Sequence, residues 1–141
     1  MLKVVSIIRE LHPDVVLIID DYQNYYIYDR DVYIVFYLLN LTIKKYNGNV
    51  FIRNNINYLS YLVFKLNEFK ISYMVLTKRF GYDVSQGKIY LNNHYQNFYV
   101  KGKLVYERTK EINKIYFKLK LNILENKNKI SVIKELISGG I

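Results

Sequence analysis

The sequence predicts an α/β domain, a mixed β-sheet flanked by helices, with a C-terminal β-hairpin and a basic helix. Three observations carry this. Amphipathic helical segments alternate with β-rich apolar runs through the first half. Val15-Val16-Leu17-Ile18-Ile19 is an unbroken apolar run, as expected of a strand covered on both faces. Asn47-Gly48-Asn49 is a strong turn signal between two short β-rich stretches. A length of 141 residues suits one domain with a real core. We divide that domain into a core over residues 1–78 and an extension over residues 79–141.

The elements follow in order. Residues 2–11 place Leu2, Val5, Ile8 and Leu11 on one helical face and Lys3, Arg9 and Glu10 elsewhere. Pro13 stops that helix, because the residue before a proline is biased away from helical geometry. The apolar strand ends at Asp20-Asp21, and Tyr22–Tyr28 reads as extended. Alternation would set Tyr22, Asn24, Tyr26 and Tyr28 on one side of it and Gln23, Tyr25 and Ile27 on the other. Asp29-Arg30-Asp31 starts a helix by capping and by charge at the positive end of its dipole, with Val32, Val35, Phe36 and Leu39 inward. Leu41–Tyr46 and Val50–Ile52 form strands about the Asn-Gly turn. Residues 57–69 form a third amphipathic helix on Leu59, Leu62, Val63, Leu66 and Phe69, and Ile71–Thr77 a central strand. Gly81 and Ser85-Gln86-Gly87 mark a loop. Lys88–Leu91, Asn97–Val100 and Leu104–Tyr106 read as short strands joined by turns at Asn92-Asn93 and Lys101-Gly102-Lys103. Residues 109–124 form a helix with Ile112, Ile115, Tyr116, Leu119 and Ile123 on one face. Ser131–Ile137 reads as a short terminal helix, ended by Gly139-Gly140.

Composition narrows the function classes. There is no Cys, which excludes disulfides, thiolate metal sites and a cysteine nucleophile. The amino terminus lacks a secretory pattern, and the longest apolar run, Val32–Leu39, falls short of the about 20 residues that span a bilayer. The expectation is a soluble, intracellular protein with no membrane contact. There is no Ala and no Trp, one Pro, and sixteen Tyr, in a chain dominated by Asn, Ile, Lys and Tyr. Those codons are AT-rich, which points to a virus, phage, mobile element, organelle or AT-rich microbe. The tyrosines fit either codon usage or base stacking. Net charge is +9, which favours an anionic partner. Residues 101–141 hold ten Lys or Arg against four Glu, so +6 of that excess lies there.

Few constellations suggest chemistry. Asp20 and Asp21 close a buried strand, where α/β enzymes often hold metal-binding carboxylates, with Asp14, Asp29, Asp31, Glu68 and Asp83 as candidate partners. The alternative is a polar strand end and a helix cap. His12 suits a helix C-terminus, and His94 suits an exposed turn. No Gly-rich phosphate loop is present, and no nucleophile, base and orienting acid assemble from spacing. Lys110, Lys114 and Lys118 stand four apart on one helix face, suited to phosphates or to solvent alone. Tyrosines along Tyr22–Tyr28 suit stacking on bases or half-burial.

One ordered set of segments resembles a known family. Ile7-Ile8-Arg9-Glu10-Leu11-His12-Pro13-Asp14, then Tyr22–Tyr28, the acidic helix start Asp29–Asp31, and Leu38-Leu39-Asn40-Leu41-Thr42-Ile43-Lys44-Lys45 occur in one order. Tyr61-Leu62 to Leu66 and Ile71–Thr77 follow. This resembles the N-terminal mismatch-recognition domain of MutS-type DNA repair proteins, over about residues 1–78. The resemblance implies that family's α/β scaffold and a nucleic-acid-facing surface. Where the family has a Phe that inserts beside a mismatch and a Glu two residues later that bonds a base, this chain has Asn24 and Tyr26. It carries no counterpart of the family's clamp and ATPase domains, so the expectation is the scaffold without the repair cycle.

The function expected from sequence is therefore non-enzymatic binding of DNA or RNA, without cofactor or metal. Lys110, Lys114 and Lys118, with Lys101 and Lys103, would meet phosphates. Tyr22, Tyr25 and Tyr26 would stack on bases. The alternatives are a structural or adaptor subunit of a larger assembly, with a protein partner, and a metal-dependent nuclease using Asp20 and Asp21.

Overall fold

The apolar face at the start of the chain forms a helix with Val5 turned inward, α1 (Lys3–Leu11). The fold is taken from a computed structural model that describes residues 3–125 together with 134, 136 and 137. After α1 come β1 (Val16–Asp21), β2 (Asn24–Tyr28), α2 (Asp31–Leu39), β3 (Lys44–Tyr46), β4 (Asn49–Asn55), α3 (Leu59–Glu68), β5 (Tyr73–Thr77), β6 (Asp83–Lys88) and α4 (Tyr95–Glu125). The α/β class and the mixed sheet expected from the alternation of segments are both present. Asn40 closes α2 in the left-handed conformation, its N–H returning to the Phe36 carbonyl. Asn47 and Gly48 both take positive φ, as a two-residue hairpin turn requires.

The six strands lie in the order β3-β4-β2-β1-β5-β6. β1 pairs with β5 in parallel and with β2 antiparallel, β4 joins β2 antiparallel, and β6 joins β5 antiparallel. β1 is interior and covered on both sides, which is why its sequence is apolar without alternation.

Its even residues, Val16 and Ile18, join the larger core with Tyr25, Ile27, Ile52, Val32, Val35, Leu62 and Leu66. Its odd residues, Leu17 and Ile19, join a smaller core with Val5, Val15 and Leu76, against which Val4, Ile8, Met74 and the half-buried Tyr26, Tyr28 and Tyr82 pack. Helices α2 and α3 thus cover one face of the sheet. On the other face α1 packs on β1 and β5.

The chain divides into two units, Met1–Tyr106 and Glu107–Ile141. The first therefore takes in β6 and α4 as far as Tyr106. The second contains the rest of α4. The terminal helix expected over Ser131–Ile137 lies outside the described residues, apart from Lys134, Leu136 and Ile137, which are helical and exposed.

The C-terminal β-hairpin is overturned. Residues 97–100 and 104–106, read as strands, are helical, and Ser85-Gln86-Gly87, read as a loop, lies in β6. The expected helix over 109–124 is the later part of one that begins at Tyr95. The governing pattern is Tyr95, Phe98, Tyr99, Gly102 and Tyr106, a helical stripe on which Gly102 is an interior position and not a turn. Gly102 is buried, and a Cβ there would overlap the Tyr33 carbonyl of α2. The glycine lets the two helix backbones touch. Around that contact Tyr33 packs edge-on to Tyr99, Phe36 edge-on to Tyr106, and Tyr37 edge-on to Phe98.

A buried polar network anchors the start of α4. The fully buried Asp31 carboxylate takes hydrogen bonds from the Leu17 amide at 3.0 Å, from the Arg9 guanidinium and from the Tyr95 hydroxyl. The Tyr95 oxygen accepts from Arg30 Nε at 2.9 Å, and Arg30 also holds Asp14 at 2.7 Å. Asn93 completes the joint, donating to the Asp14 carbonyl and accepting from the Ser72 and Tyr95 amides. Burial, the largest influence, holds the Asp31 carboxyl above its ordinary range, against the pull of Arg9, Tyr95 and the Leu17 amide. Burial, then the Asp31 charge, pushes the Tyr95 phenol far up, so it stays protonated and donates.

Candidate nucleic-acid interface

Cross-strand register assembles a site that no single segment contains. Tyr26 stands opposite Arg53, Tyr28 opposite Phe51, Phe51 opposite Lys44, and Asn49 opposite Tyr46. Cross-strand partners share a face, so Tyr26, Tyr28, Phe51, Arg53, Lys44 and Tyr46 all lie on one side of β2, β4 and β3. The alternate residues, Tyr25, Ile27 and Ile52, bury into the larger core on the other side. The side bearing Tyr26 is the one on which α1 packs: the core beneath α1 is built on β1 and β5, and Tyr26 and Tyr28 pack at its border, half-buried. The β2-β4-β3 half carries an open cleft of about 680 Å³ whose lining includes Tyr26, Tyr28, Tyr46, Phe51, Lys44 and Asp29.

The cleft is aromatic and cationic. The Tyr26 and Tyr28 rings are nearly parallel, 7° apart, with centroids 6.1 Å from each other. Tyr46 is 72% exposed. Partial burial, with Tyr26, Tyr82 and Asp21 nearby, raises the Tyr28 phenol, which therefore stays neutral at physiological pH. The ion pairs Arg9–Asp31, Arg30–Asp14, Lys65–Glu68 and Lys78–Asp21 do not involve Lys44 or Arg53. Both side chains on this face, Lys44 and Arg53, are exposed.

The residues expected from sequence distribute unevenly. Tyr26 lies on that face, half-buried against the smaller core. Tyr22 does not: it sits in the β1–β2 turn with φ +59°, 60% exposed, beneath the Arg79 guanidinium at 5.4 Å. Tyr25 is a correction. It is fully buried, its hydroxyl accepts from Asn54 at 3.0 Å, and it has no ring face to offer a base. Lys101 and Lys103 are on α4 and not in a turn. Both are exposed, with Lys101 over the Phe98 ring and Lys103 near Tyr33 and Tyr99. Lys110, Lys114 and Lys118 are exposed on α4 within the second unit.

Sequence reading missed Lys44, Tyr46, Phe51 and Arg53. The signal was available: the Asn-Gly turn folds Lys44–Tyr46 back on β4, and alternation along β4 turns Phe51 and Arg53 away from Ile52. It missed the Asp31–Tyr95 contact because 64 residues separate the partners.

The acidic residues proposed for a metal site are spread among other duties. Asp31 is in the buried network, Asp14 pairs with Arg30, Glu68 with Lys65 at 3.2 Å, and Asp21 with Lys78 at 3.6 Å. Asp20 caps the Tyr22 amide. Among the described residues no three His, Asp or Glu side chains group as a metal site would require. Among the same residues no helix is long and apolar enough to cross a membrane. The chain matches no protein-family model and no curated protein at a significant level.

Proposed function

We propose that this protein is a non-enzymatic nucleic-acid-binding module that uses the open half of its sheet. The observation that carries the reading is the aromatic and cationic face formed by Tyr26, Tyr28, Tyr46 and Phe51 with Lys44 and Arg53, running from the border of the α1-covered core to the β3 edge. Lysine and arginine supply phosphate attraction, and tyrosine rings supply stacking surface. The resemblance to the MutS mismatch-recognition domain points to the same face. The family's contacting Phe and Glu fall at Asn24 and Tyr26, which share it by alternation. With those side chains replaced, the module would bind without the family's mismatch sensing. Lys110, Lys114 and Lys118 are a second cationic surface, proposed independently.

The test is a salt titration of binding by the full chain to labelled DNA and RNA. Affinity should fall as salt rises, and Lys44→Glu with Arg53→Glu should weaken binding and flatten the salt dependence by about one phosphate contact per residue. Unchanged affinity in that double variant rejects the sheet face. Unchanged affinity when Lys110, Lys114 and Lys118 become Glu rejects the second surface.

A second reading, a structural or adaptor subunit, has its own observation. Ile112, Ile115, Tyr116, Phe117, Leu119, Leu121 and Leu124 of the second unit are all between 44% and 66% exposed. Ile112, Ile115, Tyr116 and Leu119 share one helical face, and a protein partner would bury them. This reading expects Ile115→Glu with Leu119→Glu to abolish association with a protein partner while leaving nucleic-acid affinity unchanged.

A further inference from the structure

We propose that the open half-sheet takes the unpaired bases of a single strand and not the duplex, an inference that rests on the nucleic-acid reading above. Aromatic rings recognise the faces of bases and not their edges. Within a duplex each base has its faces covered by its neighbours, and only its edges reach the grooves. A surface that offers ring faces finds partners in bases whose stacking has been opened.

Spacing leads to the same conclusion. Tyr26 and Tyr28 are alternate residues of one strand, and such residues stand about 6.7 Å apart along the chain. That is about twice the 3.4 Å rise between stacked bases of a duplex strand. Their observed centroid separation of 6.1 Å is of the same size. Successive rings therefore fall in step with an extended strand and out of step with a stacked one. Tyr46, across the sheet on β3, continues the aromatic row to the edge. A cleft of about 680 Å³ has room for base-sized groups.

Charge sits where a backbone would pass. Lys44 and Arg53 flank the rings on the same face, and Lys45 borders the cleft. Asp29 is the single carboxylate among the lining residues. The side chains that bind are thus few and alternate between ring and cation, as in stacking platforms that follow one strand. The competing geometry is insertion of the β3–β4 hairpin, from Lys44 to Asn49, into the major groove of a duplex.

The deciding measurement is fluorescence anisotropy of the full chain at low salt. The probes are oligothymidylate, oligouridylate and a mixed-sequence duplex, each about 15 nucleotides or base pairs long, at the upper end of platform site sizes. Either homopolymer should bind at least about tenfold more tightly than the duplex, a gap that stacking at one base suffices to supply. Tyr46→Ala should cost about 5- to 100-fold with the single strands, and Tyr46→Phe should restore binding. Tyr46 is exposed enough that neither change threatens folding. Duplex bound as tightly as single strand, with Tyr46→Ala silent, overturns the single-strand assignment and leaves the nucleic-acid reading standing. No binding to any of the three probes overturns that underlying reading instead. Binding lost only when Lys110, Lys114 and Lys118 are reversed removes the sheet from the site altogether.

Discussion

Asp31 shows how one side chain fixes a large part of the first unit. Its carboxylate is fully buried and meets β1 through the Leu17 amide, α1 through Arg9 and α4 through Tyr95. A buried charge with partners on three elements contributes less by its attraction than it costs when one partner is lost. Asp31→Ala should destabilise the chain by about 3–5 kcal/mol, because the Arg9 guanidinium, 17% exposed, would be left uncompensated. Urea unfolding monitored by tyrosine fluorescence would measure this, and a loss below about 1 kcal/mol would mean that solvent reaches the pair. Tyr95→Phe keeps the ring stacking and removes one hydroxyl, so a smaller cost of about 1–3 kcal/mol is expected in the same experiment. Tyr25 makes the complementary point. Its residue type suits base stacking, but the parity of its position sends it into the core.

At the scale of elements, α4 and the β3–β4 hairpin decide most. Gly102 sits where α4 crosses α2, and the absence of a side chain permits the contact. Gly102→Ala would normally favour a helix through its propensity. Here the backbone carbonyl of Tyr33 stands in the way, so overpacking wins and stability should fall by about 1–3 kcal/mol. Thermal unfolding of the variant checks the sign, and a raised melting temperature would contradict the contact. The hairpin is the element that brings the proposed surface together. Without the left-handed Asn47 and Gly48 turn, Lys44 and Tyr46 would not register against Phe51 and Asn49.

For the whole molecule the governing quantities are a net charge of +9 and a sheet whose two halves are covered differently. The excess charge sets a general attraction to polyanions that weakens with salt. On the proposed reading, the arrangement of the sheet would set where that attraction becomes a specific contact. These two contributions separate experimentally. Raising salt from about 50 to 200 mM should reduce affinity for every probe through the charge. What survives at the higher salt should depend on Tyr46 and Tyr28, because stacking carries no counterion cost. A residual affinity unchanged by Tyr46→Ala would assign all binding to charge.

The sequence by itself determined the α/β class and the location of most strands and helices as far as Thr77, because those segments carry a period. An unbroken apolar run meant an interior strand, Leu62, Val63 and Leu66 meant a helix face, and Asn47-Gly48 meant a hairpin. The alternation of Tyr25 and Tyr26 across β2 was equally readable. Tertiary structure alone decided which of those two faces is core and which is open. That choice depends on α2 and α3 closing over the Tyr25 side while the α1-side core only half-covers Tyr26, and no local pattern encodes it. Tertiary structure also decided the start of α4, where aromatic residues and Lys-Gly-Lys imitate strands and a turn until Gly102 is seen packing against Tyr33. The site itself was illegible for the same reason: Tyr26, Lys44, Phe51 and Arg53 come from three strands, and only hydrogen-bonded register brings them onto one surface.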